Sequence, residues 1–177
     1  MKTSPRGAHW AIAASLCTLA TLSHGADNSA LIAQARAAAP SMVSAEATIV
    51  YRGKVLAQGS NGWVCMPETF PDDNAPMCND AQWMTLMKAV GSKAPFQAQG
   101  LGVSYMLGGD GGVSNSDPYH PDHASAPDFI REGPHIMLIM PQAMLKGITD
   151  DPHAGGPYVM WKDTPYAHLM VPIGERP

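Results

Sequence analysis

One short pattern, Gly-Pro-(His/Tyr)-(Ile/Val)-Met, occurs twice in the C-terminal part of the chain. It reads Gly133-Pro134-His135-Ile136-Met137 and then Gly156-Pro157-Tyr158-Val159-Met160. Each copy opens a short apolar run bounded by turn residues, the signature of a buried strand. These runs are the most apolar after the N-terminal segment and are expected to be the central strands. A second pattern, His-x-Met, overlaps the first at His135/Met137 and recurs at His168/Met170. One short repeat does not establish a duplicated domain.

The N-terminus carries Lys2 and Arg6, an apolar run from Trp10 to Leu22, and then small residues through Ser23, Gly25 and Ala26. That order is the order of a secretory signal peptide, residues 1–25. The run is too short to serve as a permanent membrane anchor. Cys17 sits inside it, behind a bulky Leu16, and is lost with it. Removal of residues 1–25 takes away two basic residues and no acidic one, moving the formal net charge from −4 to −6. No basic cluster remains, so nucleic acid and anionic membrane surfaces are poor partners. The cysteines left, Cys65 and Cys78, are expected to form a disulfide in an oxidising compartment.

A lead-in helix is expected within residues 26–46, from Asn28 to Ala39 and stopped by Pro40. A single globular domain is expected over 47–177. Its first feature is a hairpin, 47–51 and 55–58, around Arg52-Gly53-Lys54. Trp63 to Cys65 continues as strand after the Asn61-Gly62 turn, and 66–77 is a Pro- and Asp-rich loop. Trp83, Leu86, Met87 and Val90 form one apolar stripe, predicting a helix capped by Asn79 or Asp80 and ended at Gly91. A strand over 101–107 leads into Gly108–Gly112, which lacks the ending of a phosphate loop and reads as a turn or a close backbone approach. Residues 114–128 are a long polar loop. Strands over 136–140, 158–161 and 166–171 close the chain, with one helical turn over 141–146. The fold class is α+β: an antiparallel sheet or half-open β-barrel of about seven short strands, with one main covering helix.

Five histidines follow the leader, at 120, 123, 135, 153 and 168, together with eleven methionines. Side chains two apart on a strand share a face, so His135 lies with Met137 and His168 with Met170. Imidazole suits copper and zinc, and thioether selects Cu(I). His135, Met137, His168 and Met170 are therefore the candidate metal ligands, with copper as the candidate cofactor. Against this stands the ordinary use of Met as a core filler, and of a strand His held by a backbone hydrogen bond. Asp117, His120, Asp122 and His123 form a second cluster whose chemistry would suit zinc or acid–base work, although Pro118 and Pro121 already account for it as a turn-rich loop. The competing enzyme reading is a hydrolase using His135 or His168 as acid–base group beside Asp117, under a roof of residues 108–128. No Gly-x-Ser-x-Gly elbow is present to support a serine nucleophile, and nothing in the spacing selects a set such as Ser114, His135 and Asp117.

Several short runs carry a family resemblance: Asn61-Gly62-Trp63-Val64-Cys65, Pro76-Met77-Cys78-Asn79-Asp80, Tyr105-Met106-Leu107, Ser114-Asn115-Ser116-Asp117-Pro118, Gly133–Met137 and Thr164–Met170. Together they resemble a family of exported bacterial proteins that has no assigned activity. The resemblance spans nearly the whole chain after the leader and implies an envelope location, and no catalytic residue carries over from it. The leading expectation is a small exported domain that binds a small molecule or a metal ion. The alternatives are the hydrolase and a structural or partner-binding envelope protein.

Overall fold

A computed structural model describes Met1 and residues 22–177. The leader segment 1–25 lies outside the described residues except at its two ends. The first elements are α1 (Leu22–Arg36), α2 (Ser41–Ser44), β1 (Thr48–Tyr51), β2 (Lys54–Ala57), β3 (Val64–Met66), β4 (Met77–Asn79) and α3 (Ala81–Ser92). There follow β5 (Gly102–Met106), β6 (Val113–Ser114), β7 (Phe129–Ile130), β8 (His135–Ile139), β9 (Tyr158–Met160) and β10 (His168–Pro172).

Eight strands form one open sheet in the order β2-β1-β3-β4-β5-β8-β10-β9, and β6 pairs with β7 in a small second ladder. The α+β class, the mostly antiparallel sheet and the dominant helix α3 all agree with the expectation. The sheet does not close into a barrel, because β2 and β9 remain as edges. One pair, β1 with β3, is parallel. Its cause is local. The β1–β2 hairpin occupies one side of β1 through a two-residue turn, with Arg52 at φ 47° and Gly53 at φ 76°. The chain can then pair only with the free side of β1. Gly59 N–H donates to Thr48 Oγ1 at 3.1 Å and Ser60 N–H to Glu46 O at 2.9 Å, pinning the crossing segment.

The helix α3 starts where its sequence demands. The Asp80 carboxylate accepts the Trp83 N–H at 2.8 Å with one oxygen and the Val103 N–H at 2.7 Å with the other. One side chain thus caps the helix and fastens it to β5. The helix runs through Gly91 and ends at Lys93, which takes the left-handed conformation at φ 53°. A left-handed cap favours glycine without requiring it. Trp83 and Leu86 are buried against the sheet, contributing roughly 2–3 kcal/mol each.

The opposite face of the sheet is covered at one end by α1. Ala35, Ala38 and Ala39 pack there with Ile49, Cys65 and Cys78. The Cys65–Cys78 disulfide forms between directly paired residues of β3 and β4. The lead-in helix is therefore a second packed layer rather than a lead-in alone. Among the described residues no helix is long and apolar enough to cross a membrane.

Candidate functional site

The register of β5, β8, β10 and β9 arranges the side chains facing α3 as a grid. Met106 lies opposite His135, Ser104 opposite Met137, and Gly102 opposite Ile139. Across the next ladder, Met170 lies opposite Met137 and Pro172 opposite His135. On the far side of β10, Met160 lies opposite His168 and Tyr158 opposite Met170. The two Gly-Pro-x-x-Met segments thus flank β10, both antiparallel to it and so parallel to one another.

Between this grid and α3 lies a cavity of about 250 Å³. Six methionines line it: Met77, Met87, Met106, Met137, Met160 and Met170. His168 lines it too, with the indoles of Trp83 and Trp161 edge-on to its ring at 5.3 and 5.0 Å between centroids. Trp161 reaches that position from a left-handed backbone conformation, φ 53°, at the end of β9. A bulky residue in this region is strained by on the order of 1–3 kcal/mol and persists only when its surroundings hold it. Here the Trp161 N–H donates to Asn115 O at 2.7 Å and the indole N–H to Ser114 O at 3.1 Å.

The histidines sort into two kinds by the role of Nδ1. In His168 it meets Tyr166 O at 3.0 Å, and in His135 it meets Gly133 O at 2.7 Å. A carbonyl can only accept, so both rings carry a proton on Nδ1, and in the neutral form of either ring Nε2 is the lone-pair nitrogen. In His123 and His120, Nδ1 instead accepts the backbone N–H of Ser114 and of Asp122, at 3.1 and 3.3 Å. Those rings carry their proton on Nε2 and offer no lone pair outward. Holding Nδ1–H on a carbonyl while Nε2 points elsewhere is how proteins orient metal-binding imidazoles.

Both inner rings are buried; His135 Nε2 is itself a buried atom without a hydrogen-bond partner, while His168 Nε2, also without one among the described residues, belongs to a ring that lines the cavity. Burial pushes the His168 imidazole down to about 4; the Tyr166 carbonyl opposes the shift and His135 reinforces it. His168 is therefore neutral at pH 7, with its lone pair free.

Of the four expected ligands, Met137, His168 and Met170 line the cavity; His135 is not among the lining residues. Its strand neighbours that of His168 and both face α3. In register, however, their backbone positions stand four residues apart, about 14 Å along the strand axis, with the Met137–Met170 pair between them. Asp117 does not line the cavity: its Oδ1 accepts the Tyr119 N–H at 2.8 Å, and its own N–H donates to Ser114 Oγ. Ser114 Oγ in turn donates to Asp128 at 2.8 Å. These groups stabilise the loop that β6 and β7 bracket. Among the described residues no group of three or more His, Cys, Asp or Glu is placed to hold a metal ion.

The sequence pattern marks Trp83 and Met87 as a stripe better explained by core packing than by a ligand pocket, and does not single out Met77, Met106, Met160 and Trp161 or Asp110, which also lines the cavity. Period-two spacing marks Met77, Met106 and Met160 only once the strands are ordered. Asp110 was signalled by the Gly-rich loop alone. Gly109 at φ 78° brings that loop so close to Glu132 that a Cβ there would sit 2.8 Å from Glu132 O.

No protein-family model matches the chain, and neither a curated protein nor a solved structure is significantly similar to it.

Proposed function

We propose that this protein binds Cu(I) in the cavity under α3, with His168 Nε2 as the nitrogen ligand and thioethers as the sulfur ligands. The thioethers nearest by register are Met160, directly opposite, Met170, two residues along, and Met137, diagonally across. Directly opposed residues stand about 5 Å apart at Cβ, within reach of these long side chains. A neutral imidazole and thioethers make a soft, uncharged donor set that favours Cu(I) over divalent hard ions.

One observation carries the reading. His168 presents a fixed, bare Nε2 in a cavity lined by six thioethers. Met as core filler accounts for the sulfurs and leaves unexplained an uncharged imidazole at the cavity wall, its Nδ1 tied to Tyr166 O and its Nε2 without a hydrogen bond from the described residues.

Export belongs to the same proposal. It is supported by the leader-like order of residues 1–25 and by the Cys65–Cys78 disulfide, which an oxidising compartment preserves.

The test is an anaerobic titration of purified protein with Cu(I) buffered by a chromogenic chelator. One equivalent per chain is the expected result, reduced more than tenfold in affinity by His168→Ala and by the pair Met137→Leu/Met170→Leu. Absence of uptake above the chelator control overturns the reading, as does uptake unaffected by either variant. A second reading rests on the apolar walls formed by Trp83, Leu86 and Val90: a small apolar guest. It predicts a raised melting temperature with such a molecule and none with Ag(I).

A further inference from the structure

The cavity lining contains two carboxylates, and their oxygens are committed differently. Asp73 spends both on its own loop. Its Oδ1 accepts the N–H groups of Thr69 and Ala75 at 3.1 and 3.0 Å, and its Oδ2 accepts that of Phe70 at 2.8 Å. Asp110 spends one. Its Oδ1 accepts the N–H groups of Gly112 and Glu132 at 3.0 and 2.9 Å, while Oδ2 takes no hydrogen bond from the described residues.

Among the described residues no lysine or arginine pairs with the Asp110 carboxylate. Arg131 reaches its backbone carbonyl, not its carboxylate, at 3.1 Å. Arg176 is spent on Glu132, which it grips with Nε at 3.0 Å and a terminal nitrogen at 2.6 Å. Tyr158 also donates to Glu132, at 2.9 Å. His135 is close enough to act on Asp110 electrostatically but forms no hydrogen bond to it. Burial raises the Asp110 carboxyl above its usual range, with the charge of His135 and the two backbone N–H groups opposing.

The carboxylate is also fixed in place. The Asp110 N–H donates to Glu132 O at 3.0 Å while Glu132 N–H returns to Oδ1, a two-point clasp between the Gly-rich loop and the segment entering β8. A largely buried carboxylate held rigidly, with one oxygen free and no ion pair among the described residues, is built to face a cation.

Resting on the reading of the cavity as a Cu(I) site, we propose that Asp110 is the counter-charge of the bound ion and sets the preference for a monovalent cation. With neutral His168 and neutral thioethers, one carboxylate balances one positive charge. A neutral guest leaves the carboxylate unpaired, and a divalent ion leaves a net charge in apolar surroundings.

The test uses Ag(I) and Cu(I) with the full chain. Asp110→Asn keeps an amide oxygen to accept both backbone N–H groups. It is expected to keep one equivalent of Cu(I) while weakening affinity by on the order of ten- to a hundredfold, the size of losing a nearby partly buried charge. Unchanged affinity in a folded Asp110→Asn overturns the role of Asp110 and leaves the cavity reading standing; failure of the wild-type protein to bind either ion overturns both. A measurement on wild-type protein alone covers a variant that does not fold. In a 13C- and 15N-labelled sample, Ag(I) is expected to shift the Asp110 carboxyl carbon together with His168 Nε2. A shift at His168 with none at Asp110 overturns the proposal.

Discussion

His135 and His168 face the same side of the sheet from adjacent strands, each with Nδ1 tied to the carbonyl two residues before it. The opposed pair Met137–Met170 stands between them. Only His168 opens onto the cavity, so the two rings should separate in experiment. His168→Ala is expected to lose Cu(I), whereas His135→Ala keeps one equivalent. Competition titration of both variants, with folding verified by circular dichroism, checks this. Equal loss in the two would place His135 in the site as well.

His168 also makes stability depend on pH with a definite sign. Its folded-state value, about 4, lies below the unfolded value of 6.5. Between those limits the unfolded chain binds more protons, so stability falls as pH drops from 6.5 toward 4 and levels below that. The loss attributable to this ring is on the order of 3 kcal/mol. Urea denaturation at pH 7 and pH 4.5 measures it. His168→Phe is expected to flatten that part of the profile, and an unaltered slope would assign it to other groups.

Asp80 serves the helix and the sheet at once, so its removal should exceed an ordinary capping loss. Asp80→Ala is expected to destabilise the fold by about 2 kcal/mol, from the cap and from the orphaned Val103 N–H. Asp80→Asn, which retains one acceptor oxygen, should lose less. Denaturation midpoints at unchanged slope give the comparison.

Glu132 is fully buried and is held by Arg176 and Tyr158. Removing only Arg176 leaves that carboxylate without its partner, and Arg176→Met should cost on the order of 3 kcal/mol. The double variant Arg176→Met/Glu132→Gln is expected to recover much of this, because the buried charge goes as well. A double-mutant cycle by chemical denaturation decides. Additive losses would show that the pair acts as two independent groups.

Much of the local structure was legible from residues alone. Arg52-Gly53 marked the hairpin, and the Trp83–Leu86–Met87–Val90 stripe marked α3. The His-x-Met spacing put each imidazole on the same face as its thioether. What did not show was everything set by long-range pairing. Nothing in Thr48 or Val64 announces a parallel ladder, and only the strand order makes Met106 and Met160 neighbours of the His–Met rows. The end of α3 was misplaced because Gly91 is the commoner stop, while Lys93 adopts the left-handed turn itself. Asp110 escaped notice because a lone carboxylate in a Gly-rich loop looks solvated until the loop is seen folded against Glu132.

The strand bearing His168 and Met170 is clasped along both edges, by β8 on one side and β9 on the other. Peeling it away would break two ladders together, so the floor of the chamber stays shut. On the reading proposed above, a guest would enter through the roof, whose lining includes Val90 and Gly91 of α3 together with Phe70 and Gly111. The breathing of that roof, rather than the grip of the proposed ligands alone, would then govern how long such a guest resides.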